Sequence, residues 1–292
     1  MIPTLLTIVI PYHNNENGIR RLLDSINVSD NTGVEVIVVN DNSESIEELL
    51  LEYPTIDLRY MELSVSQRWA GAARNKGLSG AKGRYVLFAD DDDYLLPGWY
   101  EVLSNYLDKD IDIVFFAPMS TNEHAEPAYR HLPYQYLVVS HGDDPMRIRY
   151  RFHVPWSKLY RRGYLQKKQL KFDEIHVSND VMFSLYASHF ARKICVDRRS
   201  FYCVVDRMDS LTKKTSEEAL DTRFETALRF NHFIEQQGGQ YKLALIPHIY
   251  RAFMFSFEKG WERLLCCLKM RQKIFFSLNE LYYLTKRSLM SK

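Results

Sequence analysis

The chain has 292 residues, of which 46% are hydrophobic and 26% charged, with a formal net charge of +1. That length buries a full core, as one large α/β domain or as a domain with an appendage. The near-neutral balance supplies no global field for nucleic acid. The N-terminus lacks the pattern of a signal peptide, and no run of about 18 apolar residues suits a membrane span. Cys195, Cys203, Cys266 and Cys267 have no metal-ligand spacing, so reduced thiols in a cytoplasmic protein are expected.

Leu5 to Ile10 reads as a buried first strand stopped by Pro11, followed by a polar loop from Tyr12 to Asn17. Ile19, Leu22, Leu23 and Ile26 then recur at helical spacing. Val34 to Val39 is a second buried strand, and Asn42 or Ser43 is placed to cap a short helix over Ile46 to Leu51. Ile56 to Leu63 reads as a weaker strand near an edge. The stretch from Gln67 to Gly77 is rich in small residues, which allows close approach of neighbouring elements. Strand and helix alternate with polar loops at the strand ends, the pattern of a nucleotide-binding βαβ sheet. Neither early strand is followed by a G-x-G-x-x-G or Walker motif, which argues against a dinucleotide fold or a P-loop enzyme.

Tyr85 to Ala89 is a run of β-formers, suited to burial on both faces, that ends abruptly in Asp90, Asp91, Asp92 and Asp93. Four adjacent carboxylates repel one another and end a strand, so its tip faces either a cation or water. Hard divalent ions take oxygen ligands, and in open α/β sheets ligands sit beyond the carboxyl ends of strands. The alternative is a solvated acidic turn, with Asp93 helping to cap a helix that starts near Pro97. An EF-hand loop from Asp90 fails because Leu95 stands where Gly is needed. Ile111 to Pro118 reads as a further strand, Tyr129 to Val139 as a mixed polar segment, and Val181 to His189 as a helix. Val196 to Val205 reads as strands, Arg207 to Lys214 as a polar loop, and the chain beyond about Leu220 as helical.

These motifs, in this order, resemble the inverting family 2 glycosyltransferases of bacterial polysaccharide and lipopolysaccharide synthesis, which have the GT-A fold. Ile10-Pro-Tyr-His-Asn14 is similar to the opening P-x-Y-N motif. Val38-Val-Asn-Asp-Asn-Ser43 is similar to V-V-D-D-G-S, and Gly71-Ala-Ala-Arg-Asn-Lys-Gly77 to the A-R-N-x-G segment. The D-x-D metal motif falls on Asp90 and Asp92. Trp156-Ser-Lys-Leu-Tyr-Arg161 matches another recurring stretch, and Asn179-Asp180 stands where the family has Glu-Asp with the catalytic base. The resemblance spans about residues 5 to 215.

The resemblance implies an α/β GT-A architecture: a Rossmann-like βαβ sheet for the nucleotide sugar over about 1–118, fused to an acceptor half over about 119–215. A helical region over 216–292 follows. It implies a UDP-sugar donor, Mn²⁺ or Mg²⁺ held by Asp92 and Asp90, and a lipid-linked or lipopolysaccharide glycan as acceptor. Pro11, Tyr12 and Asn14 would wall the base, with Tyr12 stacking on uracil. Asp41 would accept from the base, and Arg74, Asp90 and Asp91 would lie along the donor. Asp180 would take the acceptor proton as general base, with Trp156, Lys158 and Asn179 toward the acceptor.

Beside His13 for Tyr and Asn42 for Gly, the departures that bear on chemistry are Asn40 for Asp and Asn179 for Glu. They leave open a lapsed nucleotide- or glycan-binding protein beside the enzyme. A sugar-phosphate nucleotidyltransferase is a further rival, although the Gly-rich loop it needs after the first strand is missing. Asn179-Asp180 can also serve as a helix cap, and Trp156 as a core residue. His13, His153 and His176 have no ligand spacing and read as ordinary polar residues. From Gln240 to Lys292 there are ten Lys or Arg against three Glu, interleaved with aromatics. Such helices either lie on an anionic membrane surface, at the inner face of the cytoplasmic membrane, or pack on the catalytic domain or across a homodimer.

Overall fold

A computed structural model describes residues 3–27, 32–207 and 216–289. In chain order the elements are β1 (Leu6–Tyr12), α1 (Glu16–Asn27), β2 (Val34–Asn40), α2 (Glu47–Leu50), β3 (Asp57–Glu62), α3 (Trp69–Gly80) and β4 (Tyr85–Phe88). Next come β5 (Tyr94–Leu95), α4 (Trp99–Leu107), β6 (Ile113–Phe116), β7 (Met119–Asn122), α5 (Leu132–Val139) and α6 (Arg147–Arg151). They are followed by β8 (Lys158–Arg161), α7 (Arg162–Lys167), α8 (Val181–Phe190), β9 (Ile194–Asp197) and β10 (Tyr202–Asp206). Four helices close the chain: α9 (Glu217–Gln236), α10 (Ile246–Phe255), α11 (Phe257–Lys269) and α12 (Leu278–Leu289).

Seven strands form the main sheet in the order β3-β2-β1-β4-β8-β6-β9, and β5-β10-β7 form a second sheet. β1, β2 and β4 are buried along their whole length, as expected for parallel strands covered on both faces. β3 pairs only with β2 and is an edge strand, β9 being the other. α3 lies on β1 and β2 because its small residues permit it: a Cβ on Gly77 would stand 2.4 Å from Val9 Cγ1. At the other end of the helix a Cβ on Gly71 would stand 2.0 Å from the Asp173 carbonyl oxygen. The small-residue stretch thus presses one helix against both the sheet and the segment before α8.

Several local expectations change. Pro11 does not stop β1, which stays in register with β2 to the Tyr12–Asn40 pair. Pairing with β4 has already ended at Val9–Phe88, so proline's missing N–H is tolerated there. α2 takes Ile46 at its N-cap with no side-chain cap; Asn40 instead organises the turn, donating to Ser43 O at 2.9 Å and accepting from Ser43 N at 3.0 Å. The helix after Pro97 starts on Gly98, whose φ of 76° needs no Cβ, and Asp93 has no part in its cap. The polar stretch 129–139 contains α5, with Pro133 in its first turn. Positions 208–214 of the expected polar loop lie outside the described residues.

The closing helices turn one face inward. Phe230 and Ile234 pack with Tyr150, Met182 and Leu185, and Phe224 and Ala227 pack with Leu245, Ile249 and Cys267. Arg229 binds Asp173 at 2.9 Å, and Arg151 reaches Glu280 at 3.0 Å. All four cysteines are free thiols. No described helix is long and apolar enough to cross a membrane.

Candidate active site

β1 is flanked by β2 on one side and β4 on the other, all parallel. The connections leave β1 in opposite directions, so a crevice opens beyond the carboxyl ends of these strands. Asp41 sits at the tip of β2 and is 8% exposed. Its N–H donates to Tyr12 O at 2.8 Å, and its Oδ1 accepts from Trp69 N at 3.0 Å. Trp69 holds φ at 78°, a costly conformation for a bulky residue, and its ring lies 4.3 Å from that of His176. Asn40 beside Asp41 is fully engaged with Ser43 and with Tyr60 Oη at 2.8 Å. The position where the family has Asp is therefore a turn-forming residue in this chain.

The four carboxylates after β4 separate into distinct roles. Asp91 turns to the β1–α1 loop, accepting from His13 N at 3.0 Å and Asn15 Nδ2 at 3.3 Å. Burial, and then Asp92, push its pKa up to about 8. Asp93 is 1% exposed and uses both oxygens, accepting from Tyr202 Oη at 2.7 Å and Val205 N at 2.8 Å. Tyr202 Oη also accepts from Asp90 N at 3.0 Å, so one phenol from the second sheet braces two members of the tetrad. Asp90 accepts from Arg74 at 2.5 Å. Asp92 has its carbonyl bound by Arg21. Its carboxylate is pushed up to about 6 by burial and by Asp90, against the pull of Arg130 and Arg207.

Arg74 is the hinge of the site. It is 5% exposed and binds Asp90 on one side and Asn179 Oδ1, at 3.0 Å, on the other. Burial opposes its charge, but Asp90 and Asp180 outweigh it and hold the guanidinium pKa up. Asp180 occupies the N-cap position of α8 without making a side-chain cap hydrogen bond. Its carboxylate is raised by burial and by Asp90, against Arg74 and Lys158. An uncapped, partly desolvated carboxylate beside an Arg and a second Asp has the character of a general base.

Other expected site residues fall elsewhere. Lys158 is fully buried, donates to Phe152 O at 2.7 Å, and has its pKa forced well down by burial. Trp156 is 2% exposed and stacks on Tyr202 at 5.8 Å. Both are enclosed: Lys158 opens β8, which runs between β4 and β6 in the sheet interior, and Trp156 stands just before it. Asn179 holds Arg74 and is also buried. Pro11 and Tyr12 are buried strand residues, and at 3% exposure Tyr12 offers no open ring face for a stacked base. Asn14 is exposed, with a φ of 50° and its amide 3.4 Å from His13 Nε2. His153 Nε2 donates to Tyr150 O at 2.8 Å and takes an ordinary polar role. Sequence reasoning missed Tyr202, Arg130 and Trp69. Tyr and Arg carry no local periodic signal, and Arg130 enters the field of Asp92 and Asp93 only through the fold.

Asp90, Asp92 and Asp93 each offer an oxygen within 4.8 Å of the others. An all-oxygen donor set fits a hard divalent cation such as Mn²⁺ or Mg²⁺. Each Asp93 oxygen already accepts a hydrogen bond, from Tyr202 or Val205, so Asp90 and Asp92 are the freer pair for the ion. A separate basic cleft of about 450 Å³, lined by Thr4, Lys82, Arg84, Arg161 and Arg162, lies at the opposite end of the sheet. Its arginines bind the main chain of Gly83 and Lys109 and the Asp110 carboxylate. They brace the sheet end and have no part in the crevice.

A family model described as "Glycosyl transferase family 2" matches residues 7–180, more than half the chain. The uncharacterised glycosyltransferase EpsJ of Bacillus subtilis (strain 168) is 28% identical over 250 residues, covering 80% of this chain and 71% of its own. The structure of S. aureus TarS 1-349 in complex with UDP-GlcNAc has the same fold, with a TM-score of 0.63 and 21% identity, covering 88% of this chain and 74% of that one. The mannosyltransferase PcManGT of Pyrobaculum calidifontis, in complex with GDP-Man and Mn²⁺, aligns over 99% of this chain and 81% of its own, with a TM-score of 0.53 and 13% identity. With its GT-A fold and its crevice of carboxylates, the chain belongs to glycosyl transferase family 2.

Proposed function

We propose that the chain is a metal-dependent inverting glycosyltransferase that moves a sugar from a UDP-sugar to a hydroxyl of a growing bacterial surface glycan. Residues 1–215 would form the catalytic unit and 216–292 a helical appendage. The observation that carries the reading is Arg74, which binds Asp90 and Asn179 and so brings Asp180 into the field of the metal-type carboxylates. Family membership supports transfer, and the TarS complex with UDP-GlcNAc supports a uridine nucleotide as donor. The name of a relative, the poly(ribitol-phosphate) beta-N-acetylglucosaminyltransferase TarS, 25% identical and matched over 35% of its length, supports a β product from an inverting step.

Asp92 and Asp90 would hold Mn²⁺ or Mg²⁺, which would supply electrostatic stabilisation to the leaving diphosphate. Asp41 accepts from the base, its orientation set by the Trp69 N–H. Arg74 and Arg130 add positive charge along the donor side. Asp180 accepts the acceptor proton as its oxygen attacks the anomeric carbon from the face opposite the diphosphate. The acceptor class, a lipid-linked or lipopolysaccharide glycan handled in the cytoplasm, follows from the surface-glycan reading. The test is UDP release from a panel of UDP-sugars with and without Mn²⁺. A chain that binds UDP and never releases it from any donor is a lapsed binding protein, and the proposal fails.

A further inference from the structure

The described cations of the last 53 residues do not form one basic face. Lys242 pairs with Glu235, Lys259 with Glu217 and Asp221, Arg263 with Asp221, and Lys273 with Glu280. These four are used to hold the helices to one another. What the helices turn outward is apolar. On α10 and α11, Tyr250 (62%), Met254 (71%), Phe257 (73%), Trp261 (45%), Leu265 (58%) and Leu268 (57%) are exposed. Spacings of three and four residues place the α11 members on one face. Phe253 contacts both Phe257 and Trp261, so the two stripes join at the α10–α11 corner. Single exposed apolar side chains are ordinary, but a joined stripe of six marks an interaction surface.

Charge chooses the occupant. Arg251 on α10, Lys269 on α11, Arg271 in the turn after it and Lys286 on α12 are exposed with no carboxylate partner among the described residues, against two exposed acids, Glu258 and Glu262, on α11. A second copy of the chain would set these cations against their own symmetry mates, because a two-fold interface presents the same patch from both sides. An anionic lipid surface accepts the apolar stripe and the cations together. Trp and Tyr rings, apolar in body and polar at one edge, suit that boundary.

We propose that the outward face of α10 and α11 docks on an anionic phospholipid surface through Phe257, Trp261 and Leu265, with Arg251, Lys269 and Arg271 at the headgroups. Docking needs no turnover, so it stands or falls apart from the donor and acceptor assigned above.

The test is co-sedimentation of the full chain with vesicles of phosphatidylcholine containing about one-third phosphatidylglycerol. The wild-type chain should pellet with the vesicles. Combined Phe257→Ser, Trp261→Ser and Leu265→Ser substitutions should leave it in the supernatant, with its melting temperature and UDP release unchanged. Arg251→Glu with Lys269→Glu and Arg271→Glu should weaken binding to the anionic vesicles and change little on pure phosphatidylcholine. A second reading uses tryptophan fluorescence: brominated lipid should quench it in a Trp69→Phe protein, and adding Trp261→Phe should abolish the quenching, since the remaining Trp99 and Trp156 are buried. A wild-type chain that stays in the supernatant overturns the proposal. So does a vesicle-insensitive dimer that the triple substitution dissolves, or quenching that survives Trp261→Phe.

Discussion

Arg74 on α3 donates at 3.0 Å to Oδ1 of Asn179, a residue 105 positions later, while its other terminal nitrogen binds Asp90. One buried guanidinium thus couples the strand-end carboxylates to the segment that presents Asp180. Asn179→Ala leaves a buried N–H without its acceptor, which costs about 1–3 kcal/mol. Chemical denaturation should show that loss, with a fall in turnover smaller than that from Asp180→Asn. Asn179→Asp places a second carboxylate beside Asp180 and should move the acid limb of the pH–rate profile upward. An unmoved limb would place the titrating base elsewhere.

The tetrad should divide by function. Asp92→Ala is expected to abolish metal-dependent UDP release. Asp91→Ala should retain most of it, because Asp91 is engaged with His13 and Asn15 and lies outside the converging trio of Asp90, Asp92 and Asp93. Isothermal titration with Mn²⁺ alone separates the two, and equal loss of affinity from both would contradict the division.

Tyr202→Phe removes a donor to Asp93 and an acceptor for the Asp90 N–H while keeping the ring that stacks on Trp156. Outer-shell partners of this kind typically change metal affinity about 10–100-fold. Mn²⁺ titration of the folded variant checks it, and wild-type affinity would remove Tyr202 from the site.

Much of the site was legible because it lies where buried apolar runs stop. The halt of Tyr85–Ala89 at four Asp residues marks a strand tip on any reading, and the small residues of 71–77 announce a tightly packed helix. What could not be read was the sorting of like residues. Asp93 looks like Asp92 in sequence, and its engagement by hydrogen bonds depends on Tyr202 and Val205, 109 and 112 residues away. Lys158 reads as a surface cation, yet its strand is inserted between β4 and β6 and its amine is held by a main-chain carbonyl. The closing helices were legible as basic and aromatic, but pairing with Glu217, Asp221, Glu235 and Glu280 turned four cations inward.

Gly71→Ala tests the contact between α3 and the segment before α8. Its Cβ would meet the Asp173 carbonyl at 2.0 Å, and that main-chain atom can yield only by moving the segment that leads to Asp180. Overpacking of this kind costs about 1–3 kcal/mol. Turnover should fall further than stability does, read by UDP release beside thermal unfolding.

Acid should destabilise the fold through two histidines. Burial lowers His153 and His248 from 6.5 to about 4, with neighbouring cations adding to the effect. A histidine depressed in the folded state contributes stability that is complete above the unfolded value near 6.5 and is lost as pH falls toward 4. The loss is at most about 3 kcal/mol per residue. NMR titration should find both imidazoles neutral at pH 6, and a ring titrating normally would refute the assignment for that residue.

The central claim is one-step displacement with Asp180 as base. Asp180→Asn keeps size and most hydrogen bonding but cannot take a proton, so UDP-sugar affinity should stay near wild type while turnover falls about 10²–10⁴-fold. Burial raises Asp180, so the wild-type rate should fall on the acid side at a pH above the ordinary carboxylate range. The most direct measurement is the anomeric coupling of the product formed from an α-linked UDP-sugar, read by NMR for the wild-type chain alongside the Asp180→Asn rate. A β-glycoside with a crippled variant is the predicted result. An α-glycoside, or an Asp180→Asn enzyme at full speed, would contradict the mechanism.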